Sequence, residues 1–189
     1  MNSEMAPLGY SLFRLAVLDK IKSKLGLNKI EKMFYVAAPL KKDTSVFFKS
    51  LNLPVVSIFG LTETSGALTY QEFPNVKFQR DGPPVPGLNV KIFNQDEKGI
   101  GEICVKGRSV FMGYYQSESE NNDVFDAQGF FHTGDIGHIE EDGRLVVTGR
   151  LKDIIITAGG ENISPNSIEF AMKSICPLIS HCVVIGDDR

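Results

Sequence analysis

The string Phe59-Gly60-Leu61-Thr62-Glu63-Thr64 sets two hydroxyls on either side of a carboxylate, directly after a glycine. Glycine lets backbone approach a ligand closely, hydroxyls suit phosphate oxygens, and a carboxylate suits Mg²⁺. The plainer reading is an ordinary turn at the end of a strand. In Phe131-His132-Thr133-Gly134-Asp135, the aspartate can accept two hydrogen bonds from a cis-diol, or it can cap its own turn. Gly149-Arg150-Leu151-Lys152-Asp153 offers a guanidinium fork for a sugar hydroxyl or phosphate, and it also reads as a charged linker. Thr157-Ala158-Gly159-Gly160-Glu161-Asn162 follows it. His132 is tempting as a base because of its neighbours, but it reads better as a structural residue.

Alternating elements must hold these strings in place. Leu12, Leu15, Leu18, Ile21 and Leu25 recur at helical spacing, and Gly26 is a natural stop. Lys20, Lys22 and Lys24 would allow a membrane-surface helix, but packing within a larger domain is the simpler expectation. A strand at 32–36, a helix at 43–51 and a buried strand at 55–59 predict α/β structure around a parallel sheet. The Thr62-Glu63 string then falls at the strand's carboxyl end, where such sheets bind ligands. After Asp81 the pattern changes to short strands at 88–93, 101–106, 137–140 and 144–148. Asp142-Gly143 is a hairpin signal between the last two. This part is expected to be antiparallel and to form a small barrel or a curled sheet. Beyond residue 150 come a strand at 154–157, a helix opening at Ser164-Pro165, and a strand at 182–185. The expected organisation is residues 1–150 as the later portion of a large domain. Residues 151–189 then start a small α+β domain, truncated, after a hinge.

Composition bounds the rest. The chain has 189 residues, a net charge of −3, and 23% charged residues, so no basic stripe argues for nucleic acid. Three cysteines (Cys104, Cys176, Cys182) without CxxC spacing argue against a disulfide framework or a zinc site. No stretch is long and apolar enough to span a bilayer, and no signal peptide or lipidation motif is visible. These features predict a cytoplasmic protein, with peripheral membrane contact left open.

Taken in order, the strings resemble the AMP-forming acyl- and aryl-CoA synthetase superfamily, which includes firefly luciferase and the peptide-synthetase adenylation domains. They are Ala37-Ala38-Pro39-Leu40, Phe59 to Glu63, Gly101-Glu102-Ile103-Cys104-Val105-Lys106-Gly107 through Gly113-Tyr114, Thr133-Gly134-Asp135, and Gly149-Arg150 through Glu169. GIGEICVKGRSVFMGY, GRLKDIIITAGGEN and ISHCVVIGDDR look most like the bubblegum type of long-chain acyl-CoA synthetase. The resemblance implies ATP, Mg²⁺, CoA and a fatty acid as ligands. Ala37, Ala38 and Pro39 would lie along the adenine. Phe59 would stack on it, in place of the family's usual tyrosine, with Gly60, Leu61 and Thr64 in the same nucleotide-binding string. Thr62 would contact the α-phosphate and Glu63 would hold Mg²⁺. Asp135 would bind the ribose hydroxyls with Arg150 in support. Lys152 would be the hinge, Gly159 and Gly160 would line the pantetheine path, and Gly66 and Ala67 would lie near the acyl pocket.

The family's Gly-rich phosphate loop followed by lysine is not in this sequence, nor is its later adenylation-promoting lysine. The expectation is therefore a piece of a fatty acid–CoA ligase that is inactive alone. A non-catalytic nucleotide-binding or interaction remnant, or a ligase for a shorter or aryl acid, are the alternatives.

Overall fold

The computed structural model describes residue 9 and residues 13–37, 40–53, 55–72, 76–77, 80–157, 162–176 and 178–186. A π-helical stretch, Arg14–Leu18, continues into helix α1, Asp19–Lys24. Of the expected apolar stripe, Leu18 is buried with Leu51 and Leu53, while Ile21 and Leu25 stay exposed. Strand β1 (Met33–Tyr35) then pairs in parallel with β2 (Val55–Leu61), and helix α2 (Lys42–Ser50) joins them. Strand β3 (Gly66–Tyr70) returns antiparallel to β2, with a register shift at Phe59/Gly60.

This part is α/β, but its sheet is mixed and not parallel as expected. Residues 62–65 are too short a connection for a parallel crossover, which needs a dozen residues or more, so β3 can only fold back.

Strands β4 (Leu88–Phe93), β5 (Gly101–Gly107), β6 (Phe131–Ile139) and β7 (Leu145–Arg150) form an antiparallel sheet in the order β4-β5-β6-β7. The expected barrel or curled sheet is wrong: this sheet is open. Closure would bring the outer edges of β4 and β7 together. The start of β7's outer edge is instead taken by Asp81 and Gly82 of the segment 81–85. Leu145 donates its N–H to the Gly82 carbonyl at 2.9 Å, and Asp81 N–H reaches the Leu145 carbonyl at 3.2 Å. The same segment receives Tyr70 N–H at Pro83 (3.4 Å) and sends Val85 N–H to Leu68 (2.9 Å). It is thus a strap between β3 and β7, and it links the two sheets.

Asp81 ties the strap to both. Its Oδ1 accepts from the buried Ser57 hydroxyl at 2.8 Å, and its Oδ2 accepts from Val147 N–H at 3.2 Å. The same charge, after burial itself, helps to raise the Tyr35 phenol pKa. Asp81→Ala leaves two donors without partners, so it is expected to cost about 2–4 kcal/mol of stability. A urea titration measures this, and a loss below about 1 kcal/mol would show that the strap carries little.

The core lies where the sheets meet. Leu68, Ile103, Val105, Phe131 and Leu145 are buried together. Phe111 and Phe125 close it, with ring centroids 5.2 and 5.6 Å from Phe131. Helix α3 (Glu118–Val124) precedes β6 and was not expected from the sequence.

After β7 come a 3-10 turn at Leu151–Asp153, the paired strands β8 (Ile155–Ile156) and β9 (Asn162–Ile163), and helix α4 (Pro165–Ile175). Ser164 stands at the expected N-cap position, but its hydroxyl donates to the Thr148 carbonyl at 2.8 Å. It therefore docks α4 on β7 and does not cap it. The strand expected at 182–185 is irregular backbone, and Val184 N–H is taken by the Glu169 carboxylate at 2.9 Å. Among the described residues, no helix is long and apolar enough to cross a membrane.

Candidate functional site

β2 is buried along its first half and delivers its end into the 3-10 turn Thr62–Thr64. Gly60 makes the delivery possible. A Cβ there would lie 1.9 Å from the Gly66 carbonyl oxygen, so only glycine lets β2 and β3 come this close. The turn is locked by Thr64, 1% exposed, whose hydroxyl donates to the Gly66 carbonyl (2.8 Å) and accepts from Leu61 N–H (3.0 Å). Thr64 is thus occupied by its own loop, and Thr62 and Glu63 are left to face outward: Thr62 is exposed and Glu63 half-buried.

Glu63 is held from the far side. Its carbonyl accepts Phe111 N–H at 2.8 Å, and its Oε1 accepts the Tyr114 hydroxyl at 2.9 Å. Tyr114 is clamped in turn by Asn121 of α3. The Asn121 amide accepts Tyr114 N–H (2.6 Å) and donates to the Tyr114 carbonyl (2.9 Å). Sequence reasoning did not single out Tyr114 or Asn121 as functional. Tyr114 closes the Gly101–Tyr114 stretch, but nothing local marks an amide seven residues away as its clamp.

Asp135 sits on β6 directly opposite Arg150 on β7. It is 4% exposed, and Arg150 Nε forms an ion pair with its Oδ1 at 3.1 Å. Its Oδ2 is buried without a hydrogen-bond partner. Burial pushes the carboxyl above the ordinary aspartate range, Arg150 pulls it back, and the charges of Glu63 and Asp153 push it further up. Glu63, Asp135 and Arg150 thus form one electrostatic neighbourhood from three elements.

The other expected positions are more scattered. Phe59 and Leu61 are half-buried and pack against the core cluster. Ala37 is exposed two residues beyond β1 with φ +68°, a strained value for a residue with a Cβ. Lys152 is exposed in the 3-10 turn after β7, which packs against β6. Gly66 and Ala67 are exposed at the start of β3. Ala38, Pro39, Gly159 and Gly160 lie outside the described residues.

His132 is anchored by Glu102, with Nδ1 and Oε2 2.7 Å apart, and its ring stands edge-on to Phe93 with centroids 5.0 Å apart. Donor atoms of Glu102, Cys104 and His132 lie within 4.8 Å of one another. The Glu102 oxygens are already taken by Gly134 N–H and His132, and burial pushes the Cys104 thiol up to about 12. The group therefore reads as a hydrogen-bonded array with a protonated thiol. Cys104 is fully buried, whereas Cys176 and Cys182 are half-buried. Alkylation of the folded chain followed by mass spectrometry should label Cys176 and Cys182 at least about tenfold faster than Cys104. Equal rates would contradict the burial of β5.

The family model described as "AMP-binding enzyme" matches residues 7–115. The chain is 45% identical over 188 residues to the human long-chain-fatty-acid–CoA ligase ACSBG1, and this covers 100% of the chain and 26% of that protein. It is 40% identical over 181 residues to chicken ACSBG2, covering 96% and 24%. The chain thus spans about a quarter of the length of these curated relatives. Among solved structures, the Bacillus subtilis o-succinylbenzoate CoA synthetase MenE, in complex with an acyl-adenylate intermediate, superposes with a TM-score of 0.77 at 27% identity. That match covers 90% of this chain and 37% of MenE. With more than half of its length matched by the family model, and with a bubblegum-type ligase among the relatives at 45% identity, the chain belongs to the AMP-binding enzyme family.

Proposed function

We propose that this chain is the nucleotide-handling part of an AMP-forming long-chain fatty acid–CoA ligase. The observation that carries the reading is the unpaired, buried Oδ2 of Asp135 beside Arg150. A buried carboxylate oxygen without a donor is costly, and two vicinal hydroxyls supply the missing hydrogen bonds. A ribose is such a diol. Arg150, with a side chain 63% exposed, can swing aside to admit it or add a donor of its own.

Thr62 then points its hydroxyl to the α-phosphate. Mg²⁺ fits Glu63: this carboxylate is already oriented by Tyr114, and its charge acts on Asp135, so a cation there relieves both. When bound, Mg²⁺ neutralises phosphate charge. The fatty carboxylate oxygen attacks the α-phosphorus, its bond to pyrophosphate breaks, and an acyl-adenylate forms. The CoA sulfur then attacks the acyl carbon, AMP leaves with its phosphate oxygen, and the thiol proton goes to solvent. Residues 1–150 belong to the large domain in this reading, and residues from 151 begin the mobile small one. Lys152 lies at the hinge, in the turn that leaves β7, and Gly159 and Gly160 are on the pantetheine path. The setting is the cytoplasm, with peripheral contact where fatty acid partitions into membrane.

Equilibrium dialysis of the purified chain with AMP and Mg²⁺ tests the nucleotide part. Saturable binding without AMP-forming, CoA-dependent turnover is expected, because the phosphate loop and the adenylation lysine are not in this sequence. Absence of saturable AMP binding by folded chain would overturn the reading.

A further inference from the structure

Asp135 owes its orientation to an irregularity in the sheet. Between the pairs Glu102↔Ile136 and Cys104↔His132, residues 133–135 of β6 stand against the single residue 103 of β5. Such a bulge leaves backbone groups outside the ladder and turns the side chains next to it. Three of the backbone groups here are taken by side chains. The Thr133 hydroxyl donates to the Ile103 carbonyl at 2.8 Å and accepts Asp135 N–H at 3.0 Å. Gly134, at φ +69°, sends its N–H to Glu102 Oε1 at 3.1 Å. The other oxygen of Glu102 meets His132 Nδ1 at 2.7 Å, on the residue that flanks the bulge.

We infer that Glu102 is the positioning residue for Asp135: it grips the bulge at its middle, Gly134, and at its flank, His132, and so fixes where the unpaired Oδ2 stands. It touches no reacting group. The bulge could fold without Glu102, but Gly134 N–H would then seek another partner and the turn that aims Asp135 would rotate. Thr133 cannot substitute, because its hydroxyl is committed to Ile103 and Asp135. His132 is the brace that keeps the Glu102 carboxylate from turning away. This gives His132 a structural role with a functional consequence.

The inference rests on reading Asp135 as the ribose ligand, and its test is a ratio. Dissociation constants for AMP and for 2′,3′-dideoxy-AMP are measured by calorimetry with the folded chain and Mg²⁺. Wild type is expected to prefer AMP by about 100-fold, since the analogue leaves Asp135 unpaired. Glu102→Ala should reduce the preference to within a few-fold while binding of the dideoxy analogue changes little. Glu102→Gln should restore most of it. Its amide oxygen can accept Gly134 N–H and its NH₂ can donate to His132 Nδ1. A merely structural role would weaken both ligands together and leave the ratio unmoved.

If Glu102→Ala does not fold, Glu102→Asp decides by the same ratio, because its shorter chain keeps the charge and cannot reach both Gly134 and His132. A wild type that prefers AMP and a folded variant that prefers it equally would overturn the inference and spare the ribose assignment. A wild type with no preference overturns the ribose assignment itself, and the inference with it.

Discussion

Asp135→Ala is expected to lower AMP affinity by about 100-fold or more, because the proposed ribose contact would lose two charge-assisted hydrogen bonds at once. Asp135→Asn should be informative in the opposite sense for stability. Burial raises the folded-state pKa of Asp135 above its ordinary value, so the ionised carboxylate costs the native chain free energy at neutral pH. Asparagine removes the charge and gives up an Arg150 partner that is mostly exposed and worth little. The variant should therefore melt at or above the wild-type temperature at pH 7 while binding AMP poorly.

The sign with pH follows from the raised pKa. As pH falls through the folded-state pKa, the wild-type carboxyl takes up a proton and its handicap shrinks. Below the ordinary carboxyl range the two proteins should differ only by their neutral contacts. Thermal melts of both across this window, with AMP titrations beside them, measure the trade. A variant that lost stability at pH 7 and kept AMP affinity would mean that Asp135 is a structural anchor.

Gly60→Ala should be the most damaging small substitution for the fold. The added methyl would lie 1.9 Å from the Gly66 carbonyl oxygen, 2.7 Å from its carbon and 2.9 Å from Ala67 Cα, all of them backbone. Nothing flexible is available to move aside, so β2 and β3 must separate where the Thr62–Thr64 turn begins. A cost of about 3–5 kcal/mol is expected, which for a chain of this size lowers Tm by roughly 10 °C. Gly66→Ala is the control. Its Cβ would meet nothing within 4 Å, and only φ +114° opposes it. That change should cost about 1–2 kcal/mol. Chemical denaturation of both variants compares the two effects. A Gly60→Ala loss no larger than that of Gly66→Ala would contradict the close approach that shapes the turn.

Much of the architecture is legible where a local pattern sets it. The limits of β4 follow from its alternation, and those of β5 from its β-rich run, to within a residue. Asp142-Gly143 places the β6–β7 hairpin, with Gly143 at φ +79°. Helix α4 begins at Pro165 as the Ser-Pro pair indicates. What escapes is set by contacts between distant residues. Two hairpins say nothing about which outer edges meet, and the 81–85 strap that keeps the sheet open shows no periodicity of its own. Helix α3 is short and polar and has no apolar stripe to announce it, although Ser117 and Glu120 have capping-box spacing.

The candidate site divides in the same way. Thr62, Glu63, Asp135 and Arg150 stand out by type and by the turns beside them, and the fold brings the last three together. Glu102, Tyr114 and Asn121 act through side chain to backbone or side chain to side chain bonds. For Glu102 to Gly134 and for Tyr114 to Glu63 these span 32 and 51 residues. No window of sequence contains both partners. Thr64 shows the reverse: its type suits phosphate, but the fold spends its hydroxyl on its own turn.

The most direct test of the central claim is a ¹⁵N–¹H correlation spectrum of the chain titrated with AMP and Mg²⁺. Saturable shifts are expected at the amides of Thr62 to Ser65, Gly134 to Ile136, and Gly149 to Arg150, and they should vanish in Asp135→Ala. Shifts confined to other surfaces, such as the groove lined by Lys106, Phe111 and Phe125, or shifts that persist unchanged in Asp135→Ala, would show that the nucleotide is not held by this loop and bulge.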